Sequence, residues 1–241
     1  MSGIIRIISS QTTKQQNTNE KVKNSDLSGY WFSKQLDNFI EGHKDDDRRQ
    51  VSKDVFYASC LGNPCDRYLY LHYNGLLKPN KISANLQRSF DNDRKAEERY
   101  LRLFEKMRIL VDREIPARIE SPPIHGRADF ILTLPQNNIK RAVLELKTAN
   151  DYIFKHLNEP KPDHFIQIQT YLNILLIDQG IVLYENRNDG DIRSFLVNRD
   201  QNIWDKLVER CKRIQTMIEI PELAEVHNKY CECLNRLKNG E

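Results

Sequence analysis

The sequence lacks the features that mark secreted and membrane proteins. No uninterrupted apolar run approaches the roughly 20 residues that a membrane-spanning helix needs. The apolar cluster at residues 4–8 is too short for the hydrophobic region of a secretory signal. Five cysteines in 241 residues are too few for a disulfide-stapled scaffold. These absences predict a cytoplasmic protein of a bacterial, archaeal or virus-infected cell, although the basic, Ser/Thr-rich start also allows organellar import.

The composition is that of a polar globular protein. Hydrophobic residues make up 39% and charged residues 29%, which is enough to bury a core. A net charge of +3 neither requires nor excludes nucleic acid, because a basic groove can lie on a nearly neutral protein. We predict a polar, helical and partly flexible extension over 1–50, a core domain over 51–220 and a C-terminal segment over 221–241.

The hydrophobic pattern alternates between helical and strand periods. Helices are predicted over 83–110, 163–178 and 201–218, and strands over 111–119, 128–134, 140–148, 181–185 and 194–197. Hairpin turns are expected at residues 135–138 and 188–190, and Gly180 suits a helix C-cap. This order predicts an α/β fold, with a central mixed sheet flanked by helices and helical additions at both ends.

Two carboxylates and a lysine are placed to meet in this sheet. Glu145 and Lys147 are two apart on a predicted strand, so their side chains share a face. Asp129 lies on the preceding strand, which a hairpin brings alongside. Two carboxylates and an ammonium at one spot are costly unless a divalent cation joins them. The alternative is a surface hairpin with ordinary charges, and Glu-x-Lys also occurs at 159–161, where prolines prevent a strand.

Two helical elements support a site at this hairpin. Gln167 and Tyr171 are four apart, so they share one face of the helix that follows. Glu97 lies on the helix that precedes the strands, which we expect to begin near Asp93. A helix acid, a strand Asp, a strand Glu-x-Lys and a helix Gln-x-x-x-Tyr thus occur in one order.

This order resembles that of the PD-(D/E)XK nuclease superfamily, and within it the RecB-like exonuclease branch, over about residues 51–220. The resemblance implies a restriction-endonuclease-like core and a Mg²⁺- or Mn²⁺-dependent DNA nuclease, most naturally an exonuclease acting on ends or single strands. Asp129 and Glu145, with the Leu146 carbonyl, would hold the metal ion. Lys147 would orient or deprotonate the attacking water, and Gln167 and Tyr171 would contact the DNA backbone or a metal-bound water.

The chain departs from this branch at the helix position. A histidine often stands there, whereas this chain has Glu97 as the metal-facing residue and Glu98 as its competitor. The histidines of the chain have no clear metal-binding spacing. His125 precedes the Gly126-x-x-Asp129 element and His164 begins the Gln/Tyr helix; each is either an ordinary histidine or a group near the site.

Four cysteines resemble another feature of the same branch. Cys65-Asp-Arg67 is similar to the Cys-x-Arg segment of iron–sulfur exonucleases, including CRISPR-associated ones, in which one cysteine precedes the core and three follow it. Here only Cys231 and Cys233 follow, and Cys60 would replace the missing ligand. The four thiolates would bind [4Fe–4S] or Zn²⁺. The alternative is that the thiols are buried as small apolar groups, which fits Cys211 better.

Two other functions remain open at this level. The same fold could serve as a non-catalytic nucleic-acid-binding or assembly factor, although the complete Asp/Glu/Lys set argues against a retired site. The helices could instead bind a protein partner, with the acidic residues incidental.

Overall fold

A computed structural model describes residues 30–42, 52–77, 82–222 and 232–235. The chain divides into two compact units, Met1–Lys44 and Asp45–Glu241. In the first unit, the described residues form one helix, α1 (Tyr30–Gly42). Apart from this helix, the extension over 1–50 that we predicted to be partly flexible lies outside the described residues.

The second unit contains the remaining strands and helices. Its first half comprises β1 (Phe56–Tyr57), α2 (Ala58–Leu61), α3 (Asp66–Tyr73), α4 (Ala84–Met107), β2 (Leu110–Glu120) and β3 (Pro123–Leu134). Its second half comprises β4 (Ile139–Ala149), α5 (Asp151–Lys155), α6 (Pro162–Leu175), β5 (Gln179–Asn186), β6 (Ile192–Asn198), α7 (Gln201–Gln215) and α8 (Glu232–Asn235). None of the helices in the described ranges combines the length and apolarity that crossing a bilayer requires.

The sheet has six strands within the described residues and is mixed. Its order is β1-β3-β4-β5-β6, with β2 paired to β3. Pairing is parallel for β1 with β3 and for β4 with β5, and antiparallel elsewhere. Because β2 covers one edge of β3 along nearly its whole length, β1 and β4 share the other edge. The predicted mixed sheet flanked by helices is therefore confirmed.

The two faces of the sheet are covered by different helices. On one face, α6 packs against β-strand residues such as Val143, Val182 and Tyr184, all fully buried. On the other face, Tyr100 and Phe104 of α4 pack against Phe130. A third cluster joins α3, α7 and α8 beside the start of β3. The active-site candidates thus lie between α4 and α6, at the level of β3 and β4.

The sequence of α4 explains where the helix begins and which of its faces is buried. Its first turn is capped by the Ser83 hydroxyl, which accepts the Leu86 N–H at 3.3 Å. Residues at three- and four-residue spacing then bury one stripe against the sheet, including Ala96, Tyr100 and Phe104. Asp93 lies inside this helix, so our prediction that it begins the helix was wrong.

The turns were predicted more accurately than the cap of α6. The β3–β4 connection at Pro135–Asn137 and the β5–β6 hairpin, where Gly190 has a φ of 82°, form as expected. The C-cap of α6 is Leu176 in the left-handed region, with a φ of 53°, so our assignment of Gly180 to this role was wrong. Gly180 lies in β5, where a Cβ would come within 2.7 Å of Ile168 Cδ1. Its small size is needed for helix–sheet packing rather than for a turn.

Gly126 permits a close approach of β3 to α6. A Cβ at this position would lie 2.5 Å from Tyr171 Cε1 and 2.8 Å from the Ala58 Cβ. We expect Gly126→Ala to lower the free energy of unfolding by about 1–3 kcal/mol, because the ring and the strand must separate. Urea unfolding measures this loss. Gly42→Ala is the control, since nothing lies within 4 Å of a Cβ there, and equal stability of the two variants would contradict the close packing.

Candidate active site

The site begins where β3 and β4 separate. The antiparallel ladder pairs Phe130 with Leu144 and does not continue to the next pair. Instead, the N–H of Leu146 donates to Asp129 Oδ2 at 2.8 Å. The side chain of Asp129 thereby replaces the missing backbone acceptor and is held at the opening between the strands.

Glu145 and Lys147 share a face of β4, as the strand period predicts. Lys147 Nζ lies 2.7 Å from Glu145 Oε1, and the Glu145 residue is only 2% exposed. The second carboxylate oxygen, Oε2, is buried without a hydrogen-bond partner among the described residues. One oxygen of Glu145 is therefore paired and the other is available to a ligand.

Gln167 and Tyr171 reach the same carboxylate from α6. The Gln167 amide donates to Glu145 Oε1 at 2.7 Å and to the Tyr171 hydroxyl at 3.0 Å, while its Oε1 accepts from Lys147 at 3.1 Å. Their four-residue spacing does place both on one helix face. A single buried network thus joins β4 to α6.

Burial and mutual repulsion raise the pKa values of the acidic groups. Burial, and then the charge of Asp129, raises the pKa of Glu145 to about 8. The same two causes raise the pKa of Glu97 to about 7. Burial also raises the pKa of Asp129. Burial alone lowers the pKa of Lys147, but the nearby Glu145 outweighs it and leaves that pKa raised. If all were ionised, the carboxylates would carry more negative charge than Lys147 can neutralise, so without a cation they hold protons more tightly than usual.

This donor set fits a hard divalent cation. Carboxylate oxygens suit Mg²⁺ and Mn²⁺, and the unpartnered Oε2 of Glu145 lies among them. Glu97, rather than Glu98, is the helix acid that interacts with Asp129; Glu98 lines a shallow surface pocket with Lys95 and other basic residues. Within the described ranges, no three His, Cys, Asp or Glu side chains are already gathered at ligand distance.

A groove of about 900 Å³ opens beside this network. Arg118, His125 and Arg127 contribute to its lining from β2 and β3, and Gln167 and Tyr171 contribute from α6. Glu114 also lines the groove, so this wall contains charges of both signs, and the spacing of Arg127 and Asp129 by two residues on β3 places it next to the acidic site.

Sequence reasoning missed Glu114. It lies on β2 between Arg113, which pairs with Phe130, and Ile115, which pairs with Ala128, so it stands opposite Asp129. Its φ of 51° is in the left-handed region, and its carboxylate forms an ion pair of 2.6 Å with Arg127. No sequence signal marks such a conformation at a glutamate, which rarely adopts it.

A second missed cluster joins α4 to the end of β4. Asp93 Oδ1 accepts from the Thr148 hydroxyl at 2.5 Å and from Arg187 Nη2 at 3.0 Å. Thr148 follows Lys147 directly, and Asp93 is one helical turn before Glu97. This cluster therefore fixes the helix that carries Glu97 against the strand that carries Glu145 and Lys147.

The structure brings three of the predicted cysteine ligands to one region. Cys65 Sγ lies 3.7 Å from Cys233 Sγ, and Cys60 Sγ lies 3.6 Å from His72 Nε2. Cys231 lies outside the described residues. Cys211 is fully buried, as expected, and burial raises the pKa of its thiol to about 12.

Comparison with known proteins finds similarity in overall structure only. Neither a protein-family model nor a curated protein matches the chain. The alkaline exonuclease LHK-Exo from Laribacter hongkongensis is 15% identical, with a TM-score of 0.49, over 67% of this chain and 86% of its own. A phage-related exonuclease from Haemophilus somnus is 16% identical, with a TM-score of 0.40, over 69% of this chain and 94% of its own. Values this low assign no activity to this chain.

The raised pKa values predict a pH-dependent stability. A carboxyl whose folded pKa is above its unfolded value of 4.5 contributes most to stability while protonated. In EDTA, we expect the free energy of unfolding to fall as the pH rises from about 4.5 to about 8, the pKa of folded Glu145, and Mg²⁺ to oppose the fall. Glu145→Gln should flatten this profile in urea titrations, whereas Glu209→Gln, on an exposed surface, should keep it. Identical profiles for both variants would contradict the buried-charge account.

Proposed function

We propose that the chain is a metal-dependent DNA nuclease of the PD-(D/E)XK superfamily, in its RecB-like exonuclease branch. The observation that supports this most strongly is the buried network of Glu145, Lys147, Gln167 and Tyr171 beside Asp129. It combines buried carboxylates, a cationic donor and an adjoining groove whose lining includes two arginines. That is the set of groups that hydrolysis of a phosphodiester requires.

Asp129 and Glu145, with the Leu146 carbonyl, would hold Mg²⁺ or Mn²⁺, and Glu97 would complete the acidic set from α4. The unpartnered Oε2 of Glu145 and the raised pKa values of these carboxyls support this assignment. Bound there, the ion would supply Lewis-acid polarisation of the scissile phosphate and a lowered pKa for the attacking water.

Lys147 would act as a charged donor. Its raised pKa keeps the ammonium protonated at neutral pH, so it suits stabilisation of negative charge on the phosphorane better than removal of a proton from water. Its bonds to Glu145 and Gln167 hold Nζ in place, which avoids reorganisation during the reaction.

Gln167 and Tyr171 would orient the network and the DNA backbone. Burial strongly raises the pKa of Tyr171, so its hydroxyl remains a neutral donor and acceptor. Both residues line the groove, where Arg118 would provide positive charge for phosphates and Arg127 is paired with the Glu114 carboxylate. DNA ends or single strands are the substrates that we propose for this groove.

Removal of the central charges should abolish cleavage. We expect Glu145→Ala and Lys147→Ala to lower the rate of Mg²⁺- or Mn²⁺-dependent DNA cleavage by about 100-fold or more, as the loss of a preorganised electrostatic group does in other enzymes. The cleavage rate is measured with labelled single-stranded DNA. An end-blocked DNA substrate then shows whether cleavage requires a free end.

Glu159→Ala is the matched control, since Glu159 is exposed and belongs to the Glu-x-Lys sequence outside the sheet. It should cleave at the wild-type rate. DNA binding without cleavage in either metal ion would refute the nuclease and favour a binding or assembly factor.

We also propose that Cys60, Cys65, Cys231 and Cys233 bind a [4Fe–4S] cluster or Zn²⁺. The described members of the set belong to or pack against one hydrophobic cluster, in which Cys65 Sγ lies 3.7 Å from Cys233 Sγ, and thiolates suit both groups. Such a centre would link the start of the domain to its end.

Anaerobic purification, an absorbance spectrum and metal analysis test this centre. We expect about one cluster or one zinc ion per chain, lost on Cys233→Ser and retained on Cys211→Ser, because the Cys211 thiol is separately buried. Equal metal content in the two variants, or none in the wild-type chain, would contradict the site.

A further inference from the structure

A second bridge joins α6 to the sheet one turn away from the Lys147–Gln167 contact. His164 Nδ1 lies 2.7 Å from the Tyr184 hydroxyl. His164 precedes Gln167 by three residues, so both occupy one face of α6. Tyr184 pairs with Lys147 in the β4–β5 ladder, so their side chains leave the same face of the sheet. His164 therefore lies beside the proposed catalytic network.

The hydrogen bonds of Tyr184 favour one tautomer of His164. The buried Tyr184 hydroxyl accepts the backbone N–H of Lys161 at 3.0 Å. Among the described residues, its own proton has one acceptor within reach, which is Nδ1 of His164. A neutral imidazole that accepts at Nδ1 carries its proton on Nε2.

The Nε2 atom of His164 takes no part in the bond to Tyr184. The two ring nitrogens flank Cε1, so their hydrogen-bond directions diverge, and Nδ1 is the one directed at buried Tyr184. The side chain is 19% exposed, and Nε2 lies 3.8 Å from Asp163 Oδ2, which is beyond hydrogen-bond distance. Burial, and then the charge of Lys147, lowers the pKa of His164 to about 4, so the ring stays neutral at pH 7.

We propose that His164 is a substrate-contacting residue. Its Nε2–H would donate to a non-bridging oxygen of the DNA phosphate next to the one at Glu145 and Lys147. Three helical residues separate His164 from Gln167 by about 4.5 Å, which suits a neighbouring phosphate on the same strand. Tyr184 is the positioning residue that fixes the tautomer. This inference rests on the proposed function, because it requires DNA that extends from the groove lined by Gln167 and Tyr171 to His164, which lies one turn earlier on α6 and outside that lining.

Binding of modified DNA tests the contact without requiring cleavage. The affinity of fluorescent single-stranded DNA is measured in Ca²⁺, with a neutral methylphosphonate placed at each successive phosphate. His164→Leu removes the donor and should weaken binding about 10-fold, as expected for a lost hydrogen bond to a charged group. His164→Gln, whose amide N–H reaches a similar position, should retain most of the affinity.

The position of the modification identifies the contact. With the methylphosphonate at one particular phosphate, wild type and His164→Leu should bind DNA with equal affinity. With it at any other phosphate, the difference in affinity should persist. Tyr184→Phe should weaken binding with the same positional pattern. The double variant should bind no worse than His164→Leu alone, because Tyr184 acts through His164.

His156→Leu is the control, since His156 is an exposed histidine outside the site, and it should bind as the wild type does. Thermal unfolding confirms that each variant is folded. If His164→Leu loses the same affinity at every methylphosphonate position, His164 has a structural role and the inference is overturned, while the cleavage assay still decides the nuclease separately. Wild-type protein that binds no DNA would overturn both.

Discussion

The buried charge of Glu145 is the constraint on which the rest of the site depends. A carboxylate that is 2% exposed loses its hydration, at a cost of several kcal/mol unless other groups replace the water. Lys147 and Gln167 replace part of it at one oxygen, both at 2.7 Å. The other oxygen has no such partner among the described residues. The need to replace this lost hydration explains the lysine two residues later and the glutamine on the facing helix. It also motivates the proposed cation.

The sheet creates the space for this charge by changing the neighbour of β3 midway. β1 pairs with β3 at Ile124, and β4 pairs with it from Phe130 onward, so the backbone between them lacks a strand on that edge. Unpaired backbone groups inside a sheet cost free energy. The Asp129 carboxylate satisfies one of them by accepting the N–H of Leu146. The same interruption keeps Gly126 against Tyr171 and leaves room for the groove. The position of the proposed site therefore follows from the strand topology.

The local periodicity of the sequence was sufficient to predict how the central residues of the site are paired. The two-residue strand period placed Glu145 beside Lys147, and the four-residue helix period placed Gln167 beside Tyr171. Sequence periodicity does not predict contacts between elements that are distant in the chain. Glu114 lies opposite Asp129 because of the register between two strands, and Tyr184 meets His164 because of how α6 packs on the sheet. It also misjudged Gly180, whose small size is required by Ile168 across the helix–sheet interface rather than by a turn. Spacing alone does not pair the cysteines either; the family resemblance is what placed Cys65 and Cys233 in one set, and their Sγ atoms lie 3.7 Å apart.

The excess of negative charge also links cation binding to DNA binding. With several carboxylates and one lysine, the metal-free site would repel a phosphate, and the groove's basic residues would act against this repulsion. A bound divalent cation would reverse the local potential and attract the phosphate. By thermodynamic reciprocity, DNA would then raise the affinity of the site for the cation by the same factor. A neutral donor such as His164 would contribute to DNA affinity without weakening cation binding, because it adds no positive charge near the acidic groups. In the proposed nuclease, the division between charged and neutral donors would therefore allow metal ion and phosphate to bind together.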